Sequence, residues 1–101
     1  MDAVLIYYSK VQLIHKKSEI VAIAAVKVWR VPKTAGFPEG IKYSLFLIIK
    51  ETGEVLIGFD NHRPKGHHTH RHGEESSYSF EGVDALVEEF WNLVKQEGFL
   101  I

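Results

Sequence analysis

"IKYSLFLIIKETGEVLIGFD", Ile41 to Asp60, decides the fold. In its first half Ile41, Tyr43, Leu45, Leu47 and Ile49 fall on one side, and Lys42, Ser44, Phe46, Ile48 and Lys50 on the other. A period of two is that of a β-strand. "ETGE" then makes a tight turn, with Gly53 where a positive φ is expected. "VLIGFD", Val55 to Asp60, is the next strand. A turn this short belongs to an antiparallel sheet.

Upstream, "VLIYYSKVQLIHK", Val4 to Lys16, is rich in β-branched and aromatic residues and predicts a first strand. "KKSE" interrupts it. "IVAIAAVKVWRV" predicts a second strand, stopped at Pro32, which has no N–H for a ladder. The short break makes these two a hairpin. "PKTAGFPEG", Pro32 to Gly40, is a loop by its prolines and glycines. In the second strand Val21, Ile23, Ala25 and Trp29 face one way, and Ile20, Ala22, Ala24, Val26 and Val28 the other. Both faces are apolar, so strand curvature or a second protein chain is expected over the face that a helix leaves bare.

Downstream, "SYSF" predicts a short fifth strand. From Gly82 the period lengthens: Val83, Leu86, Val87, Phe90 and Val94 recur at three and four, the mark of an amphipathic helix. Gly98 is placed to end it, and "FLI" is expected to fold back on the core. The expected class is α+β: residues 1–101 as a single domain, a four- to five-stranded, mostly antiparallel β-meander with one C-terminal helix packed on one face.

The 101 residues are 46% hydrophobic and 25% charged, with a formal net charge of -1 and no cysteine. This composition belongs to an ordered globular chain. It excludes disulfide frameworks, thiolate metal sites and a general charge-driven affinity for nucleic acid. No run approaches the roughly 18 apolar residues of a membrane span. "MDAVLIYYSK" has an acid where a signal peptide has a base, so a cytoplasmic protein with no membrane partner is expected.

Five of the six histidines lie in "FDNHRPKGHHTHRHGEE", Phe59 to Glu75. The order "WRVP", "PEGIKYSL", "FDN" followed by "KGHHTH", then "YSF" and a helix carrying "FW" resembles the TumE-like toxin family of bacterial and archaeal toxin–antitoxin pairs. The resemblance covers most of the chain. Its most specific part is the Asp60–Asn61 pair followed by Lys65–Gly66 and the His68-X-His70 motif. The family pattern has an acid directly after the glycine, where this chain has His67. The resemblance implies a small cytoplasmic toxin neutralised by a separate antitoxin, often a helix-turn-helix DNA-binding protein. RNA cleavage or a translation block is the usual activity for toxins of this size.

Cleaving RNA through its 2′-OH needs a general base, a general acid and positive charge near the phosphate. Imidazole titrates near neutrality, so a histidine pair supplies both proton transfers. In an extended segment His68, His70 and His72 project to one side, with His68 and His70 ~6–7 Å apart along the backbone. The expected catalytic set is His68, His70, Lys65 and Asp60, with Asp60 holding one imidazole in its tautomer. Lys42, Tyr43, Asn61, Arg63, Gly66 and Arg71 are expected around the substrate, Lys42 and Tyr43 because their strand should neighbour that of Asp60.

The alternative is a zinc or nickel site on His68, His70 and Asp60, with Glu74 or His62 as further candidate ligands. Carboxylates paired near the histidines are not evident in the sequence, which counts against two-metal chemistry. No cofactor is the first expectation. A third possibility is a non-catalytic interaction protein. His15 is expected to be structural, and Trp29 and Trp91 to be core or interface residues. The bare apolar face predicts a homo-oligomer or an antitoxin-binding surface.

Overall fold

The structure is a computed structural model that describes residues 3–101. Its strands are β1 (Val4–Ile14), β2 (Val21–Arg30), β3 (Ile41–Ile49), β4 (Val55–Asp60), β5 (His68–Arg71) and β6 (Glu74–Ser77), followed by the helix α1 (Val83–Gln96). All six form one sheet in sequence order, each antiparallel to the last. The architecture is the expected meander with a C-terminal helix, but it has six strands rather than four or five.

The difference lies in the histidine segment. "HTHR" pairs with β4 and then turns back on itself as "EESS". The last strand is therefore Glu74–Ser77, and "SYSF" is mostly the connection to the helix. Propensity favoured Tyr78 and Phe80. The ladder instead follows the β5–β6 turn, where His72 (φ 49°) and Gly73 (φ 87°) both adopt the positive φ that a tight hairpin requires.

Alternation sorts the sheet into two faces. Ala22, Ala24, Val26, Val28, Tyr43, Leu45, Leu47, Ile57 and Phe59 form one face. The helix seals it with Leu86, Phe90 and Val94, three residues at helical spacing that are all fully buried. Phe59 meets Phe90 edge to face at 6.4 Å. Gly98, at φ 95°, closes the helix and returns the chain toward β1. There Lys16 N–H donates to Gly98 O at 2.9 Å, and Leu100 N–H to Ile14 O at 3.1 Å. Of the apolar tail only Phe99 reaches the core; Leu100 and Ile101 are exposed.

On the opposite face Ile23, Ala25, Phe46 and Ile48 are half-buried with no helix above them. The helix makes its main contact with the sheet at β4. Val4, Leu5, Ile6, Tyr7, Tyr8, Val11 and Ile14 of β1 are consequently exposed, along an edge strand of 11 residues. No helix among the described residues is long and apolar enough to cross a membrane.

Candidate active site

Strand register gathers the candidate residues on the open face. Asp60 of β4 stands directly across from His68 of β5, and His70 of β5 across from Glu75 of β6. Cross-strand partners share a face. Four potential donor side chains from three strands therefore gather at one point. Opposite His70 on β4 is Gly58, and beyond it on β3 is Phe46. A Cβ at Gly58 would run into the Phe46 ring and come within 3.2 Å of His70 Cδ2. The glycine is the floor on which Phe46 and His70 rest, with their ring centroids 6.1 Å apart.

His68 is buried, and both of its nitrogens are engaged. Nδ1 lies 2.8 Å from the carbonyl oxygen of Gly66. A carbonyl only accepts, so Nδ1 carries a proton and donates. Nε2 lies 2.9 Å from Asp60 Oδ1 and 3.3 Å from Glu75 Oε2. Ionised carboxylates also only accept, so a lone pair facing them needs a shared proton or a bound cation between.

His70 is more open, with its side chain 30% exposed, and its ring lies 5.0 Å from that of His68. Its Nε2 is 3.8 Å from Asp60 Oδ2 and 3.7 Å from Glu75 Oε2. The backbone N–H of His62 donates to Asp60 Oδ1 at 3.2 Å. Lys65 Nζ donates to both oxygens of Glu75 at 2.9 Å. The Lys65 hydrogen bond is the largest cause holding the Glu75 carboxyl below its ordinary range; desolvation opposes it, and the electrostatic effects of Lys65, His68 and His70 add to the lowering.

These side chains border a shallow groove of about 440 Å³ that Arg63 and His62 also line. A larger depression of about 670 Å³ lies by Ile20, Val21, Ile49 and Lys50, at the far end of the sheet. It contains no histidine and only one lysine and two glutamates among its charged residues, whereas the smaller groove gathers His62, His68 and His70 with Asp60, Lys65 and Glu75.

The other candidate residues are placed as follows. Lys42 is on the open face, with Nζ 5.6 Å above the Trp29 ring. Arg63 lies at the groove, 5.9 Å over Phe37. Gly66 takes part through its carbonyl. Asn61 is buried and works for the backbone: its Oδ1 accepts from Tyr43 N–H at 3.0 Å and its Nδ2 donates to Ile41 O at 2.8 Å. Tyr43 and Arg71 belong to the helix face, away from the groove.

Arg71 donates to Glu97 Oε2 at 2.9 Å, and His72 lies 2.9 Å from the same oxygen. His72 therefore does not join His68 and His70 as alternation suggested, because the chain has left the strand and turned. Burial acts to raise the Glu97 carboxyl, but the hydrogen bonds from His72 and Arg71 outweigh it and hold it low. Tyr43 is pushed well above the ordinary phenol range, by burial first and then by Tyr78, Asp60 and Glu39. It stays protonated and donates to His67 Nδ1 at 2.8 Å, which leaves His67 Nε2–H to donate to Glu39 at 3.1 Å. His67 is thus an anchor of the helix face, stacked on Phe80 with centroids 4.9 Å apart.

The model of the family described as Toxin TumE matches residues 5–98. The chain belongs to the TumE toxin family. The match spans the whole sheet and the helix, so the family assignment and the groove rest on the same stretch of this toxin. No curated protein and no solved structure matches the chain.

Sequence reasoning missed three residues of the groove: Glu75, Phe46 and Gly58. It named Glu74 instead, but Glu74 is the cross-strand partner of Arg71 and shares that residue's face. One position of parity separates the two, and only the β5–β6 register decides it. The expected lack of paired carboxylates is likewise corrected, since Asp60 and Glu75 both stand against His68 Nε2.

Proposed function

We propose that this toxin acts on RNA, cleaving phosphodiester bonds through the neighbouring 2′-OH without a metal. The observation that supports this is the pair of imidazoles, 5.0 Å apart between ring centroids, one locked and one open to a groove edged by Arg63 and Lys65. His70 takes the proton of the 2′-OH as its oxygen attacks phosphorus. His68, in its doubly protonated form, returns a proton to the leaving 5′ oxygen as the P–O5′ bond breaks. The products are a 2′,3′-cyclic phosphate and a 5′-hydroxyl. Asp60 positions His68, and Lys65 and Arg63 offset charge on the phosphate. Lys42 extends the cationic path along the open face.

A toxin of such a pair has an antitoxin. We place that partner, a helix-turn-helix DNA-binding protein by the resemblance, in the cytoplasm with the toxin. The exposed apolar β1 edge would carry self-association or antitoxin docking. The experiment is induction in cells lacking the antitoxin, with RNA ends mapped and purified toxin assayed on RNA in excess chelator. Wild type should arrest growth and cut RNA. His68→Ala and His70→Ala should be folded and reduced by ~10²–10⁴ in rate. Folded variants that remain fully toxic would remove the catalytic assignment.

A further inference from the structure

We propose that Asp60, His68, His70 and Glu75 form a binding site for one divalent transition-metal ion, zinc in the first place, and that its occupancy competes with proton transfer by the two imidazoles. The site draws on three neighbouring strands, which removes the difficulty of taking several ligands from one strand. The donor atoms of Asp60, His68 and His70 all lie within 4.8 Å of one another. Ligands ~2.0–2.1 Å from a tetrahedral ion are about 3.3 Å apart. His68 Nε2 lies 2.9 Å from Asp60 Oδ1 and 3.3 Å from Glu75 Oε2, and His70 Nε2 lies 3.8 Å from Asp60 Oδ2 and 3.7 Å from that same Glu75 oxygen. Asp60, His68 and His70 are the preformed triad, and Glu75 would move in from beside them to complete the tetrahedron.

The tautomer of His68 is the independent observation. Its Nδ1–H is committed to Gly66 O at 2.8 Å, the outer hydrogen bond that fixes a ligating histidine with Nε2 free to bind. That Nε2 faces carboxylates, where only a proton or a cation resolves the contact. Asp60 has its own support from His62 N–H, and Glu75 from Lys65. Two imidazoles with two carboxylates select zinc or nickel over magnesium or calcium, whose sites are built from oxygen alone. The donors lie along the groove, so an ion there would be reachable from solvent.

Binding does not depend on the ribonuclease proposal; competition does rest on it, because a nitrogen lone pair bonded to zinc accepts no proton. The test uses the full chain purified without a histidine tag and titrated with zinc and cobalt. One equivalent should bind, and cobalt should give the visible spectrum of a tetrahedral site. His70→Ala should lose more affinity than the roughly 10–100-fold that an outer-shell change costs, and Glu75→Gln at least that much. His72→Ala, whose ring is held by Glu97 on the other face, should bind as wild type does. Circular dichroism checks the fold of each variant. In the RNA assay zinc should inhibit and chelator should restore cleavage. Absence of stoichiometric binding, or binding lost only in His72→Ala, overturns the site and leaves the ribonuclease proposal standing. Binding together with zinc-dependent activity overturns the competition and the metal-free mechanism with it.

Discussion

Gly58→Ala tests whether the floor of the groove is built as described. The added methyl would collide with Phe46 Cε1 and lie 3.2 Å from His70 Cδ2. The ring must swing off β4, and overpacking of this kind costs ~1–3 kcal/mol. Alanine also recovers about 0.5–1 kcal/mol relative to glycine within a strand. The net expectation is a loss of about 0.5–2 kcal/mol. In a Phe46→Ala background the obstruction is gone, and the same substitution should become neutral or stabilising by about 0.5 kcal/mol. A four-protein cycle measured by urea unfolding should give a coupling of ~1–3 kcal/mol, well above the ~0.5 kcal/mol scatter of independent sites. RNA cleavage should fall in Gly58→Ala, since His70 shares the displaced contact. Equal costs in both backgrounds would show that Phe46 does not rest on Gly58, and the described geometry of the groove would be wrong.

Asn61→Ala should act on stability, because it strips partners from the buried N–H of Tyr43 and the carbonyl of Ile41; a loss of ~2–6 kcal/mol by urea midpoint is expected at about 1–3 kcal/mol per unsatisfied group. Tyr43→Phe should cost about 0.5–1.5 kcal/mol through its hydrogen bond to His67 and leave the rate of RNA cleavage unchanged, since it lies on the helix face. Glu97 is held below its ordinary 4.5, so its contribution is full above that value and is lost as pH falls through its lowered range. Glu97→Gln should therefore destabilise by ~1–2 kcal/mol at neutral pH, and its gap to wild type should close in acid unfolding curves.

Two strong periodicities made most of the fold legible. The alternation in Ile41–Ile49 and the three-and-four spacing of Leu86, Phe90 and Val94 each report burial on one side, and burial is what the structure confirms. The β5–β6 hairpin was hidden because "EESS" is fully exposed and has no β-branched or aromatic residue, and "HTHR" has only Thr69 of the β-branched type that marks a strand. It is held by its ladder and by a turn rather than by an apolar face. The candidate site inherited the same blind spot. His68, His70, Asp60 and Lys65 are close in sequence and were found by composition. Glu75 and Phe46 reach the groove only through register, a property of paired strands that no single segment displays.

The two margins of the sheet are chemically unlike. β1 offers 11 residues with apolar side chains exposed on both sides, while β6 offers four, all glutamate or serine. A strand that docks on β1 finds backbone groups and apolar contacts together. At β6 the row is short and carries one glutamate on each face, Glu74 and Glu75. An added strand thus has one adhesive margin to join and one inert margin beyond which the sheet does not grow. If two copies joined through β1, each would present only its acidic margin to the outside, and the pairing would close on itself rather than propagate into a filament.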